Sequence, residues 1–157
     1  MKVSVRSIAL GAAGAALVAG VLAAPANASS GQVAGAPHRG GVPGVTVHVR
    51  GDGTQPPAEL GNPKEWGVVK FTTDGSAGSR SARTIVEAGG GKWSFGWYAT
   101  TDGKYCYSNY YHYTVIHSST VKIAGGTRKD VEGPDIYTNA HLTAGMAYTC
   151  ETYYAKY

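Results

Sequence analysis

Alternation of apolar and polar side chains, rather than helical spacing, organises this chain. Trp93, Phe95 and Trp97 alternate with Lys92, Ser94, Gly96 and Tyr98, which places three large rings on one face of a strand. Asp102-Gly103 is a hairpin signal between that strand and the next, residues 104–111. Residues 113–123 are dense in β-branched side chains and stop at Gly125-Gly126, so they read as a further strand. A polar loop at 127–134 leads to a strand over 136–143, and Gly145 precedes a last strand over 146–156. There Tyr148, Cys150, Thr152 and Tyr154 share one face, with Ala147, Thr149, Glu151 and Tyr153 on the other. No segment beyond the first 28 residues sustains an apolar period of 3.6. The pattern predicts an all-β fold, a small sandwich or barrel with few helices.

Upstream the pattern is weaker. Residues 29–63 are rich in Gly, Pro, Ala and Gln, and only Val45-Thr46-Val47-His48-Val49-Arg50 alternates convincingly, so this stretch reads as largely disordered or extended. Two more strands, 66–73 and 82–88, flank the turn signal Thr73-Asp74-Gly75-Ser76 and could pair as a hairpin before the break Gly89-Gly90-Gly91. The whole of 29–88 is expected to be a linker or propeptide-like region. Residues 1–28 combine Lys2 and Arg6, an apolar run from 8 to 24, and Ala26-Asn27-Ala28, which reads as a secretory signal peptide. The run is short for a bilayer of about 30 Å and lacks a basic stop-transfer cluster, so an extracellular protein without stable membrane insertion is expected.

Charge and cysteine content narrow the classes. Without Lys2 and Arg6 the chain holds 12 basic and 10 acidic residues, too even a balance to imply nucleic acid. Cys106 and Cys150, its only cysteines, read as one disulfide in an oxidising exterior. Closing a loop of about 45 residues removes roughly 4 kcal/mol of unfolded-state entropy in the chain-entropy model. His112 and His117, with His141, are the natural metal candidates. Five residues along an extended strand set the first two on opposite faces about 16 Å apart, so no metal or other cofactor is expected. Ser118 or Ser119 could join His112 or His117 and Asp130 or Asp135 in a hydrolytic trio, yet no G-x-S-x-G elbow is present. Asp130, Glu132 and Asp135 share one polar loop instead of flanking a cleft. No catalytic residue is assigned, and the chain reads as a binding protein, not an enzyme. Its 11 tyrosines all lie at or beyond position 98. A phenol pairs a flat apolar face with a polar tip, suiting both strand packing and recognition of sugars.

The run Tyr107-Ser108-Asn109-Tyr110-Tyr111-His112, followed by His117-Ser118-Ser119-Thr120-Val121, and Trp93-x-x-Gly96 ahead of it, resembles the signature of lactococcin 972-type bacteriocins. The resemblance covers residues 89–157 and implies an antiparallel β-sandwich there. It further implies a secreted antibacterial protein that acts on related Gram-positive bacteria from outside, holding the cell-wall precursor lipid II and blocking septal peptidoglycan synthesis without catalysis. Carried over residue by residue, Asn109, His112, His117, Ser118 and Thr120 form the expected polar ligand-binding set, with Tyr110 or Tyr111 as a stacking surface. Lys104 and Lys122 are further cations that could face a phosphate. The chain departs from the family at Tyr113-Thr114-Val115-Ile116, which is β-forming where the family carries a polar turn with a lysine. The alternative reading is a secreted carbohydrate- or surface-binding module used by the producer itself. An exposed strand edge would also permit a homodimer.

Overall fold

In a computed structural model that describes residues 44–72 and 83–157, strands dominate and pair antiparallel throughout. The expected signal peptide and the turn at Thr73-Asp74-Gly75-Ser76 lie outside the described residues. No described helix is long and apolar enough to cross a membrane. The strands are β1 (Thr46–Val49), β2 (Glu65–Phe71), β3 (Thr84–Ala88), β4 (Gly91–Thr100), β5 (Gly103–Tyr111), β6 (His117–Ile123), β7 (Gly126–Glu132), β8 (Tyr137–Ala144) and β9 (Cys150–Lys156). A single turn of 3-10 helix, Ala58–Leu60, lies between β1 and β2. One sheet has the order β1-β2-β9-β6-β7 and the other β3-β4-β5-β8.

The two sheets form a sandwich because their strands alternate as the sequence does. From the four-stranded sheet Trp93, Phe95 and Tyr110 point inward and meet Val69 and Tyr154 from the five-stranded one. Trp93 packs on Phe95 at 4.0 Å and on Tyr154 at 5.0 Å between ring centroids. Tyr154 lies against Gly67 so closely that a Cβ there would sit 2.1 Å from its Cε1, which restricts that position to glycine. Further along, the Cys106–Cys150 disulfide ties β5 to β9 across the core, among Val121, Ile123 and Ala140.

The outer side of the five-stranded sheet is also covered. Leu60, 1% exposed, packs on Trp66, Tyr153 and Ala155. The segment carrying it is held by Tyr157 Oη and Lys129 Nζ, which both donate to the Leu60 carbonyl at 2.8 and 3.0 Å, and by a Lys122–Glu59 ion pair at 2.7 Å. Arg50 adds a bond from Nε to the Pro63 carbonyl at 3.1 Å. This segment forms a strap across the sheet.

Four expectations are corrected. The segments around 66–73 and 82–88 do not form a hairpin: β2 pairs with β1 and β9, whereas β3 pairs with β4. Val69 and Val86 contribute to one core cluster from different sheets, so their strands do not sit side by side. Of the stretch read as linker-like, residues 46–49, 65–71 and 84–88 are strands of the sandwich itself. The polar stretch at 127–134 is mostly β7, an edge strand that pairs only with β6. Finally, residues 113–115 form a bend rather than strand, and the last strand begins at Cys150.

Candidate functional site

Among the described residues, none forms a strap over the outer face of the four-stranded sheet. The odd-numbered residues of β5 point there, because Lys104, Cys106, Ser108 and Tyr110 are all turned inward. Register then places Tyr105 beside Tyr98 and Thr143, Tyr107 beside Gly96 and His141, and Asn109 beside Ser94 and Asn139. Tyr98 and Tyr105 stack at 4.7 Å and 26°, and Tyr105 stacks on His141 at 5.3 Å and 20°. Three rings from three strands thus form a ladder across the sheet. Near its other end Tyr111 packs on Tyr137 at 4.7 Å and donates to Asp135 Oδ1 at 2.9 Å.

Beside the ladder lies a shallow concavity of about 350 Å³, lined by Arg83, Tyr98, Tyr105, Tyr107, Asn109 and Asn139. Gly96 explains it in part: paired with Tyr107 on the outer side of β4, it sets no side chain between Ser94 and Tyr98. Arg83 lies along the face with Nε 3.4 Å from Ser94 Oγ. Burial raises the Tyr107 phenol above its ordinary range, and the Arg83 guanidinium pulls it the other way, so the cation and the hydroxyl feel each other. Burial and the neighbouring Tyr98 likewise raise Tyr105. Asn109 Oδ1 is shielded from solvent and has no hydrogen-bond partner, an unusual condition for a covered carbonyl oxygen. A second concavity next to the first is lined by Arg83, Ile85, Glu87, Lys92, Ser94 and Tyr137.

The seven ligand-binding residues expected from the signature do not share one surface. Asn109 and Tyr111 are on the bare outer face just described. Tyr110 is fully buried in the core and donates from Oη to the Ala88 carbonyl at 2.9 Å; burial raises its phenol well above the ordinary range. Ser118 and Thr120 are fully buried in β6, and Ser118 Oγ lies 3.0 Å from Tyr157 Oη beneath the strap. Thr120 Oγ1 is buried without a hydrogen-bond partner.

His112 and His117, far apart on a continuous strand, are brought within 6.2 Å by the bend between them. His112 Nδ1 accepts from the backbone N–H groups of Thr114 and Val115 at 3.2 and 3.3 Å, so the ring proton resides on Nε2, which donates to the Gly89 carbonyl at 3.1 Å. This clamp bends a β-forming tetrapeptide. Both nitrogens of the fully buried His117 face carbonyls, Val115 O and Ile136 O, each at 2.9 Å. The two rings stitch the 112–116 bend to the Gly89 turn and to the 133–137 loop.

Other signature residues act inside as well. Trp93 Nε1 donates to Ser108 Oγ at 2.9 Å, and Ser108 Oγ donates to the Tyr153 carbonyl at 2.8 Å, a buried relay joining the sheets. Ser119 Oγ lies 2.6 Å from Thr138 Oγ1, and both serines considered as nucleophiles are fully buried. Among the described residues no group of three or more His, Cys, Asp or Glu side chains is placed to hold a metal. Lys104 is buried, bonded to the Tyr148 carbonyl at 2.6 Å and 4.9 Å over the Trp97 ring, and burial lowers its pKa; Lys122 is paired with Glu59. Neither adds charge to the bare face.

Arg83, Tyr98, Tyr105 and Asn139 were not among the expected site residues, Tyr107 entered only as part of the signature, and His141 only as a candidate metal ligand. The alternation around Cys106 contained the necessary signal. Once its sulfur is committed to an inward disulfide, Tyr105 and Tyr107 must point out.

Residues 89–154 match the model of a family described as Bacteriocin (Lactococcin_972). No curated protein matches the chain, and no solved structure does.

Proposed function

We propose, on the premise that residues 89–154 belong to the lactococcin 972 bacteriocin family, that this antibacterial protein is exported and acts by capturing lipid II without catalysis. The capture surface in this reading is the outer face of the four-stranded sheet. One observation carries it: a ladder of Tyr98, Tyr105 and His141 stands on a sheet face that no other described segment covers, next to a concavity holding a guanidinium and two carboxamides. Exposed rings lose less by meeting an amphipathic ligand than by facing water, and donors placed beside them fix its orientation. Asn109 and Tyr111 retain a contact role. Tyr110, His112 and His117 lie buried behind the face, whereas Ser118 and Thr120 belong to the strapped side of the other sheet.

The test combines growth and binding. Purified protein is added to a panel of Gram-positive strains and, separately, to phospholipid vesicles with and without lipid II. Septation defects and lipid-II-dependent retention are expected. Absence of both rejects the reading. Retention by polymeric peptidoglycan with no preference for lipid II vesicles would instead favour the carbohydrate-binding module, for which the same rings are suited.

A further inference from the structure

Within the capture face, on which this inference rests, we propose that the concavity over Gly96 is a subsite for a glycosyl phosphate, a sugar ring with a phosphate on its anomeric carbon. Three observations converge on that ligand class.

The first is shape. Tyr98, Tyr105 and His141 stack on one another, so the Tyr105 ring has both faces occupied and the ladder presents largely edges and hydroxyls. Tyr107 is different. It tilts at 48° to Tyr98 and 34° to Tyr105, with centroids more than 6 Å from each, and lies opposite a residue that has no side chain. That arrangement leaves Tyr107 as the floor of a basin walled by the ladder and the two asparagines. A pyranose presents a patch of C–H groups of matching size to such a ring, and its hydroxyls reach phenol and carboxamide groups around the rim.

The second is charge. Among the described residues, Arg83 is the single charged one lining the basin, and no carboxylate lines it. A planar guanidinium beside two carboxamides suits a phosphate, which it can engage through two parallel N–H···O bonds. A neutral sugar would leave that charge unused. A bare phosphate would leave the tyrosine floor unused.

The third is an unsatisfied acceptor. Asn109 lines the basin, and its Oδ1 has no partner. Rotation of the carboxamide toward the basin would let a sugar hydroxyl or acetamido N–H supply the missing bond.

The experiment is titration of the purified protein with N-acetylglucosamine 1-phosphate, followed by nuclear magnetic resonance of the tyrosine rings and by calorimetry. Free N-acetylglucosamine and inorganic phosphate serve as separate probes. We expect shifts centred on Tyr98, Tyr105 and Tyr107, and affinity at least tenfold above either probe alone. Arg83→Gln and Tyr107→Ala should each weaken binding about tenfold, whereas Arg128→Gln, on the exposed β7 of the other sheet, should not. Arg83 is exposed, so its replacement leaves the fold intact, and thermal melting of each variant checks this. Equal binding of inorganic phosphate or of free sugar overturns the inference, as does binding that is indifferent to Arg83. Lipid II capture that survives both substitutions overturns the subsite and leaves the capture reading standing. Binding of the glycosyl phosphate without any lipid II capture does the reverse.

Discussion

The two outer faces of this sandwich start from similar side chains and end differently. On the five-stranded sheet Trp66 and Tyr153 are 2% and 4% exposed, because Leu60 and the strap around it close over them. On the four-stranded sheet Tyr98 and Tyr137 are 46% and 60% exposed and stack on neighbouring rings. Aromatic residues on a sheet are therefore not informative by themselves. What distinguishes structural rings from available ones here is a few residues supplied by the chain between β1 and β2, well away from the signature.

This comparison can be broken in graded ways. The most severe is to begin the chain at Gly89. That removes β1, β2, β3 and the strap, strips β9 of its pairing from Glu65 to Phe71, and uncovers Tyr153. The fragment should show no cooperative thermal transition and a collapsed amide dispersion in nuclear magnetic resonance. A native-like spectrum from residues 89–157 would mean that the covered face does not need its cover.

Next, Leu60→Ala should destabilise the protein by about 2–5 kcal/mol, the usual range for a buried leucine truncated to alanine, measured by urea unfolding. A smaller loss would mean that the strap is ornamental. Alkaline conditions act on the interior rather than on either face. Burial raises the Tyr110, Tyr153 and Tyr154 phenols far above their ordinary range, with hydrogen bonds to carboxylates adding to the effect for the last two. An unfolded phenol ionises near pH 10. The folded state thus retains protons that the unfolded state has released, so stability is intact below about pH 10 and declines as pH rises beyond it. Absorbance at the phenolate band should show these three titrating only together with unfolding.

The smallest effect belongs to the bare face. Tyr98→Ala should change stability by no more than about 0.5–1 kcal/mol, as for surface substitutions and single ring pairs, while lowering retention by lipid II vesicles severalfold. A large stability loss with unchanged retention would make the ladder a packing device.

Much of the fold was readable in the chain. The alternation of Trp93, Phe95 and Trp97, the Asp102-Gly103 turn and the opposed faces of the last strand all reflect local rules that the folded structure keeps. The cysteine pair was equally plain. β7 was missed because an edge strand with one paired side tolerates the polar run Thr127-Arg128-Lys129-Asp130, and its strand character comes from pairing with β6. The bend at 113–115 was missed because β-propensity is a weak preference and two hydrogen bonds to His112 Nδ1 override it. The candidate site was less legible for a related reason. A motif reports which residues matter without saying on which side of a sheet each one lies. Trp93, Ser108, Tyr110, His112 and His117 lie within the signature stretches of this chain and serve the interior. Arg83 lies outside the matched segment altogether.

The disulfide has a mechanical consequence. Cys106 sits between Tyr105 and Tyr107 on β5, with its sulfur bonded through the core to Cys150 at the start of β9. Tension applied to the two tyrosines is therefore transmitted by a covalent link into the opposite layer before the ladder of backbone bonds can unzip. A protein built this way can be pulled by these half-buried rings without its two sheets parting at that point.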